Sequence, residues 1–419
     1  MSLSEISEKF TEENLNEIIR KIGGEKFTKW EFAPGFKKGD SYLSEVYRVI
    51  VEGENKNGDK IKTSVVVKSI PKNAGWRTTF RSADFFYNEI IFYNEILRGF
   101  YEFQSKRNPV NPFCEIVPAL SSFTNGLHDF VAMDDLGQYG YKPANRQLGV
   151  DFTKCSWCMK VLARFHALSM AMKDQEPEKF QEIIKNIKET YYAAAFKKWY
   201  AKFCAQMIGV AKDAIDKEYG GTEIQLKSKK FLDNNLYDTM VSLVETKNRN
   251  SVITHGDCWL PNFLFKFAPN SNEQEPISIK MIDYQLVRYG SPVLDISFFI
   301  YSCTNQAMRE QYYDELLNIY YTNLTDLIRD LGSDPNKVFP REEFEKELKQ
   351  FSRFGCGFSI ESVPLSIMDD DDTADFSKIE SDSAIDISTV WIVPPIPTKE
   401  GRLRVADVFK HAVQYGYLD

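Results

Sequence analysis

The stretch that most constrains this 419-residue chain is the island at 254–284, THGDCWLPNFLFKFAPNSNEQEPISIKMIDY. Two strand-like runs, FLFKF at 263–267 and PISIKMI at 276–282, are joined by a polar segment, the pattern of a hairpin with a longish loop. If Phe267 pairs near Ile277, the antiparallel register sets Asn262 opposite Ile282. Asn262 and Asp283 then stand side by side at the open end of the hairpin. Asp257 lies five residues before Asn262, in the loop that enters it. Two carboxylates and an amide oxygen, distant in sequence, are thus expected to converge.

That set suits phosphoryl transfer. Mg²⁺ takes a few hard oxygen ligands and leaves the rest of its shell to phosphate and water, so Asn262 and Asp283 are the expected metal ligands. Asp257 has no such strand partner and is free to face an incoming hydroxyl. Protein kinases use the spacing H-R-D-x-x-x-x-N, followed by a metal-binding Asp. Here it reads His255-Gly256-Asp257, then Asn262, then Asp283-Tyr284-Gln285. Gly256 removes the arginine that senses a phosphorylated activation loop, and the last glycine of D-F-G is lost. Both departures favour a small-molecule acceptor. His255 is expected to hydrogen-bond backbone, Asp295 to cap a helix or lock the loop, and His166 to pack inside a helix.

Upstream partners are present in the required order. Residues 4–22 have a helical stripe, and 41–51 and 61–70 are β-rich runs around an Asn57-Gly58 turn. Lys68 ends the run SVVVK, where V-A-I-K has its lysine. Residues 79–98 return to a helical period, with Phe86, Ile90, Tyr93 and Leu97 on one stripe. Glu89 lies about 60° from the stripe's centre and Glu95 on the opposite face, so Glu89 is the expected partner of Lys68. Gly39-Asp40-Ser41 could cover phosphates with backbone N–H groups and the Ser41 hydroxyl. No G-x-x-x-x-G-K-[ST] occurs. Residues 113–120 and 127–133 are expected strands, and 134–140 a Gly-punctuated connection. Beyond it, 153–173, 177–216, 224–246, 304–331 and 341–355 carry helical periods, and the acidic run 369–382 reads as a solvated loop.

Bulk properties exclude other classes. A net charge of -8 argues against a dedicated nucleic-acid binder. No run approaches the ~18 apolar residues of a membrane span. The opening segment lacks the pattern of a secretory signal, so a cytoplasmic protein with seven free cysteines is expected. Cys155 and Cys158 form a C-x-x-C without a second ligand pair and read as helix packing. No obligate protein partner is evident.

HGDCWLPNFLF at 255–265 and MIDYQLVRYGSPVLDISFFIY at 281–301 resemble the ecdysteroid kinase-like family, which is related to choline kinases and aminoglycoside phosphotransferases. GDSYLSEVYRV, VVVKSIP, FFYNEIIFY, VAMDDLGQYGYK and LARFHALS resemble its other segments in order. The resemblance implies an α+β, two-lobed protein kinase-like fold, with an ATP-binding lobe over 1–134 and a catalytic and substrate-binding lobe over 135–419. It implies ATP and Mg²⁺ as cofactors, with Asp257 as catalytic base, Asn262 and Asp283 as Mg²⁺ ligands, and Lys68 with Glu89 on the phosphates. It also implies that Met133, Asp134, Asp135 and Leu136 offer backbone groups to adenine, although Met133-Asp134 stands where Leu-Glu is more usual. The expected acceptor is a small lipophilic alcohol, an ecdysteroid among the candidates. Two other readings stand beside it: a nucleotide- or hormone-binding protein without turnover, and a choline or amino-alcohol kinase. The latter would draw a cation cage from Tyr191, Tyr192, Trp199 and Tyr200.

Overall fold

In a computed structural model of the chain, the described residues are 2–34, 43–147, 149–271, 273–369 and 374–419. Ser41 and its neighbours Gly39 and Asp40 lie outside them. The first helix, α1 (Glu12–Lys21), starts at Thr11, whose N–H donates to Asn14 Oδ1 at 2.8 Å. Its Leu15, Ile18 and Ile19 share one face and are fully buried. That face packs on a five-stranded antiparallel sheet formed by β1 (Lys26–Phe32), β2 (Glu45–Glu54), β3 (Lys60–Ser69), β4 (Ala119–Phe123) and β5 (Phe130–Asp134), in the order β1-β2-β3-β5-β4. Alternate residues Val49, Val51, Val65 and Val67 meet α1, and the opposite face carries Lys68. The β2–β3 turn is set by Asn55, whose Oδ1 accepts from Asn57 N and Asp59 N, and by Gly58 at φ +81°.

The helical period at 79–98 resolves into four pieces: α2 (Ala74–Thr79), α3 (Ser82–Ile91), a π-helical segment Phe92–Leu97, and α4 (Arg98–Ser105). Arg81, at φ +54°, breaks α2 from α3. Although these helices precede β4 and β5 in the chain, their buried faces join the larger hydrophobic core with the helices that follow. The strand expected at 113–120 begins only at Ala119, because Pro118 has no N–H for a ladder.

A short β6 (Lys142–Pro143) leads to α5 (Phe152–Gln175), α6 (Pro177–Ile184), α7 (Lys197–Tyr219), α8 (Glu223–Asp233) and α9 (Leu236–Glu245). The β island follows as β7 (Val252–Thr254), β8 (Phe263–Phe267), β9 (Pro276–Met281) and β10 (Arg288–Gly290). Then come α10 (Val293–Cys303), α11 (Gln306–Asp330), α12 (Pro335–Val338), α13 (Arg341–Phe351), α14 (Arg353–Ile367), α15 (Ile387–Val390) and α16 (Lys399–Gln414). The small antiparallel-sheet part and the large helical part make this the α+β, kinase-like architecture expected. Cys155 and Cys158 are buried free thiols in α5, as packing requires. Among the described residues no helix is long and apolar enough to cross a membrane.

The described part of the acidic run departs from a solvated loop. Its charges face out, but Phe376 and Ile379 are buried, and the segment docks on α2. Asn73 Nδ2 donates to the carbonyls of Ser377 (3.1 Å) and Ile379 (2.8 Å), and the Phe376 ring lies 4.3 Å from that of Phe80. Gly75 permits the approach, since a Cβ there would strike the Ser381 carbonyl. Gly75→Val is expected to lower stability by about 1–3 kcal/mol and to speed tryptic cleavage at Lys378, read by thermal melts and limited proteolysis.

His411 of α16 is buried and bonds the Tyr301 hydroxyl through Nδ1 at 3.0 Å. Burial, then the nearby Arg309 charge, push its pKa from 6.5 down to about 3. Only the unfolded chain takes up this proton between those values. Stability is therefore fully present above pH 6.5 and is lost as pH falls toward 3. His411 is expected to contribute a loss of about 2 kcal/mol by about pH 5 in urea titrations, and His411→Gln to flatten that slope.

Candidate active site

The β8–β9 register pairs Phe263 with Met281 and Lys266 with Ser278. It continues one step further, with Ile282 N donating to Asn262 O at 3.1 Å. Asn262 thus faces Ile282 as the sequence leads one to expect. At the loop end a bulge sets Phe267 opposite Pro276 rather than Ile277. Asp283 follows with φ +70°, a left-handed conformation that turns its carboxylate away from the strand direction.

The loop before β8 is held from beneath. Asp295 sits in the first turn of α10, one exposure per cent from complete burial, and its N-cap neighbour is Pro292. It is therefore not the cap. Its Oδ2 accepts from His255 N (2.6 Å) and its Oδ1 from Gly256 N (2.9 Å). His166 Nε2 donates to Oδ2 at 3.0 Å, which leaves Nδ1 for the Tyr320 hydroxyl at 2.8 Å. Burial opposes the Asp295 charge, yet His166, His255 and the Gly256 N–H outweigh it and hold its pKa below the usual carboxylate value. His166 is thus more than a packed residue, since it braces the lock.

Gly256 has φ +83°, and a Cβ there would overlap the Leu286 carbonyl. This position excludes the arginine of protein kinases on backbone grounds alone. Gly256→Ala is expected to lower stability by about 3 kcal/mol in urea titrations, with loss of whatever activity the loop supports. His255 is buried, with Nε2 donating to Ile282 O at 2.9 Å and Nδ1 accepting from Asp257 N at 3.2 Å. That pair of bonds fixes a neutral tautomer and ties the loop to the end of β9. Burial, foremost, lowers its pKa.

Asp257, Asn262, Asp283, Lys68 and Met133 line one cavity between the sheet and the helical part, with about 1460 Å³ of space when its open mouth is included. Lys68 Nζ lies 2.8 Å from Glu89 Oε2 and 2.9 Å from Asp283 Oδ1. Burial works against the Lys68 charge, but Asp283 and Glu89 outweigh it and keep the ammonium protonated. Burial raises the Glu89 pKa, and Lys68 only partly opposes it. Glu95 accepts from Asn186 on the other side of the helix. Asn262 Nδ2 donates to Asp257 O at 2.9 Å, so the amide oxygen is the atom left to the cavity. Asp257 is pushed up to about 7, first by burial and then by the Asp283 charge.

This is a site short of positive charge. Three carboxylates, Glu89, Asp257 and Asp283, share one buried lysine, and two of them raise each other's energy. A divalent cation beside Asp283 and the Asn262 oxygen would answer that deficit with hard oxygen donors, so the residues fit Mg²⁺. Among the described residues no three His, Cys, Asp or Glu side chains form a metal cluster by themselves. A phosphate-completed shell needs none.

Of the four hinge residues, Met133 lines the cavity. Asp135 N donates to Ser64 O, its carboxylate pairs with Arg48 at 2.8 Å, Asp134 accepts from Gln138 and Tyr139, and Leu136 O accepts from Tyr141 N. Gln285 Nε2 sits 3.4 Å from Asp257 Oδ2 and Tyr284 stacks on Phe92 at 3.6 Å, two features not legible beforehand. The far half of the cavity is walled by aromatic rings around Glu361; of the four residues offered for a cation cage, Tyr191 and Trp199 line it, while Tyr192 and Tyr200 are buried and do not. The one signal for Glu361 was a lone carboxylate within the apolar and hydroxyl-bearing run CGFSIESVPLSI.

No curated protein matches the chain in sequence. Two solved structures align along most of it, a GDP complex of an aminoglycoside 2'-phosphotransferase IIIa mutant and a glucosamine kinase. The first is 12% identical, covers 83% of this chain and 88% of the other, and has a TM-score of 0.34. The second is 10% identical, covers 86% and 82%, and has a TM-score of 0.33. Both superpose too loosely to assign anything to this chain. The sequence profile of one family matches residues 38–333, well over half of the chain and the whole of the Lys68–Asp283 site. With that match the resemblance seen in the motifs becomes membership: the chain belongs to the ecdysteroid kinase-like family.

Proposed function

We propose that the protein is an ATP-dependent small-molecule kinase that phosphorylates a hydroxyl of a lipophilic alcohol. One observation carries this reading. A single cavity has the Lys68–Glu89–Asp283 and Asp257–Asn262 sets at one end and aromatic walls at the other. The family supports kinase chemistry, and an ecdysteroid is the acceptor its name suggests.

In this reading residues 1–134 form the nucleotide lobe and 135–419 the acceptor lobe. Lys68, held by Glu89, contacts the α- and β-phosphates, and Met133 packs beside adenine. Asn262 and Asp283 hold Mg²⁺. When bound, the ion neutralises phosphate charge and fixes the γ-phosphate for in-line attack. Asp257 Oδ accepts the acceptor's hydroxyl proton as that oxygen bonds to the γ-phosphorus and the bond from that phosphorus to the β–γ bridging oxygen breaks, so that ADP leaves. Gln285 steadies the Asp257 carboxylate.

The test is ADP release from Mg·ATP across a panel of steroid and small alcohols, with the phosphate ester identified by mass spectrometry. Turnover that disappears in Asp257→Ala and Asp283→Ala is expected. A wild-type chain that binds Mg·ATP but phosphorylates no alcohol would favour the binding-protein reading instead.

A further inference from the structure

Among the described residues, four lysine, aspartate or glutamate side chains line the cavity: Lys68, Asp257 and Asp283 at the nucleotide end, and Glu361 of α14 among aromatic rings. Glu361 is 8% exposed, and its helix is otherwise apolar or hydroxyl-bearing around it. The Tyr191 hydroxyl shares its one proton between both of its oxygens, each at 2.8 Å, and the Tyr200 hydroxyl donates to Oε2 at 2.5 Å. Among the described residues no lysine, arginine or histidine pairs with it. A carboxylate in an apolar wall is expensive to keep, and a leucine or phenylalanine would fill the place more stably. Two oxygens offer about four lone-pair positions, and the tyrosines leave acceptor capacity on a carboxylate that lines a cavity bounded by Trp199, Phe358 and Trp391.

The Tyr191 and Tyr200 hydroxyls already donate to this carboxylate, so the site is built for O–H donors. A ligand hydroxyl supplies one more such proton, whereas a quaternary ammonium has no proton to donate. We propose that Glu361 is the specificity-determining residue of the acceptor site: it accepts a hydrogen bond from a second, non-reacting hydroxyl of a neutral and otherwise apolar alcohol. The chain then selects diols and polyols over the matched mono-alcohols. The inference rests on the phosphotransfer reading for its consequence but not for its binding event. A site built around a ligand hydroxyl discriminates strongly against the analogue that lacks it, because the buried acceptor is left unpaired.

The probes are rigid bicyclic and steroid alcohols in sets that differ only in the number of hydroxyls, with choline as the cationic control. Two readouts are taken on the full chain: kcat and KM from ADP release, and affinity from quenching of Trp199 and Trp391 fluorescence, which needs no turnover. Wild type is expected to favour diols by about 10–100-fold, carried by KM. Glu361→Ala is expected to erase that preference, and Glu361→Gln, which keeps an acceptor oxygen and the fold, to retain part of it. Diol selectivity that survives Glu361→Ala overturns the proposal, as does failure of every diol to bind. Choline binding best, and lost equally in Glu361→Gln and Glu361→Ala, also overturns it. Selective, Glu361-dependent diol binding without ADP release leaves the inference standing and removes the phosphotransfer reading.

Discussion

Asp257→Asn is expected to lower kcat by about 10²–10⁴-fold, the range a positioned general base supplies, while Mg·ATP affinity stays near that of wild type. The amide is nearly the same shape as the carboxylate and can still face Gln285. It cannot take a proton from the acceptor hydroxyl. The same substitution is expected to leave the ligand-free protein as stable or more so, because it removes the Asp257–Asp283 repulsion that raises the Asp257 pKa. Falling turnover with an unchanged or higher melting temperature is the signature. A loss of activity that came with unfolding would instead assign Asp257 to structure.

Asp295→Ala should have the largest effect on stability, about 3–5 kcal/mol in urea titrations. It strips the acceptor from His255 N, Gly256 N and His166 Nε2 at once, all in a buried environment. Activity should fall with it, since Asp257 is the next residue in the loop. Asp295→Asn keeps one acceptor oxygen and is expected to recover part of both. The contrast with Asp257→Asn separates a group that acts from a group that holds the actor in position.

The Lys68–Asp283 end of the cavity was legible because its logic is local and periodic. Antiparallel pairing of 263–266 with 278–281 is a sum rule that two alternating runs dictate, and it brings Asn262 to the end of β9. Glu89 rather than Glu95 follows from helical phase alone, even though the π segment begins three residues later. Where phase failed, a backbone device intervened. The break at Arg81 and the π turn have no signature in hydrophobic pattern. The edge strand β1 was not singled out because none of its residues is fully buried and a bulge interrupts its pairing. The aromatic half was legible only at Tyr191 and Trp199, for a different reason. Trp199, Phe298, Phe358 and Trp391 come from α7, α10, α14 and the segment after α15, and only tertiary packing of four separated elements puts them in one wall.

That wall ties the two ends of the polypeptide together. Phe358, Glu361 and Trp391 lie late in the chain, and the Trp391 ring stands 6.0 Å from that of Phe80, between α2 and α3. A lesion near the carboxyl end is therefore felt in a pocket whose lysine and aspartates are supplied much earlier.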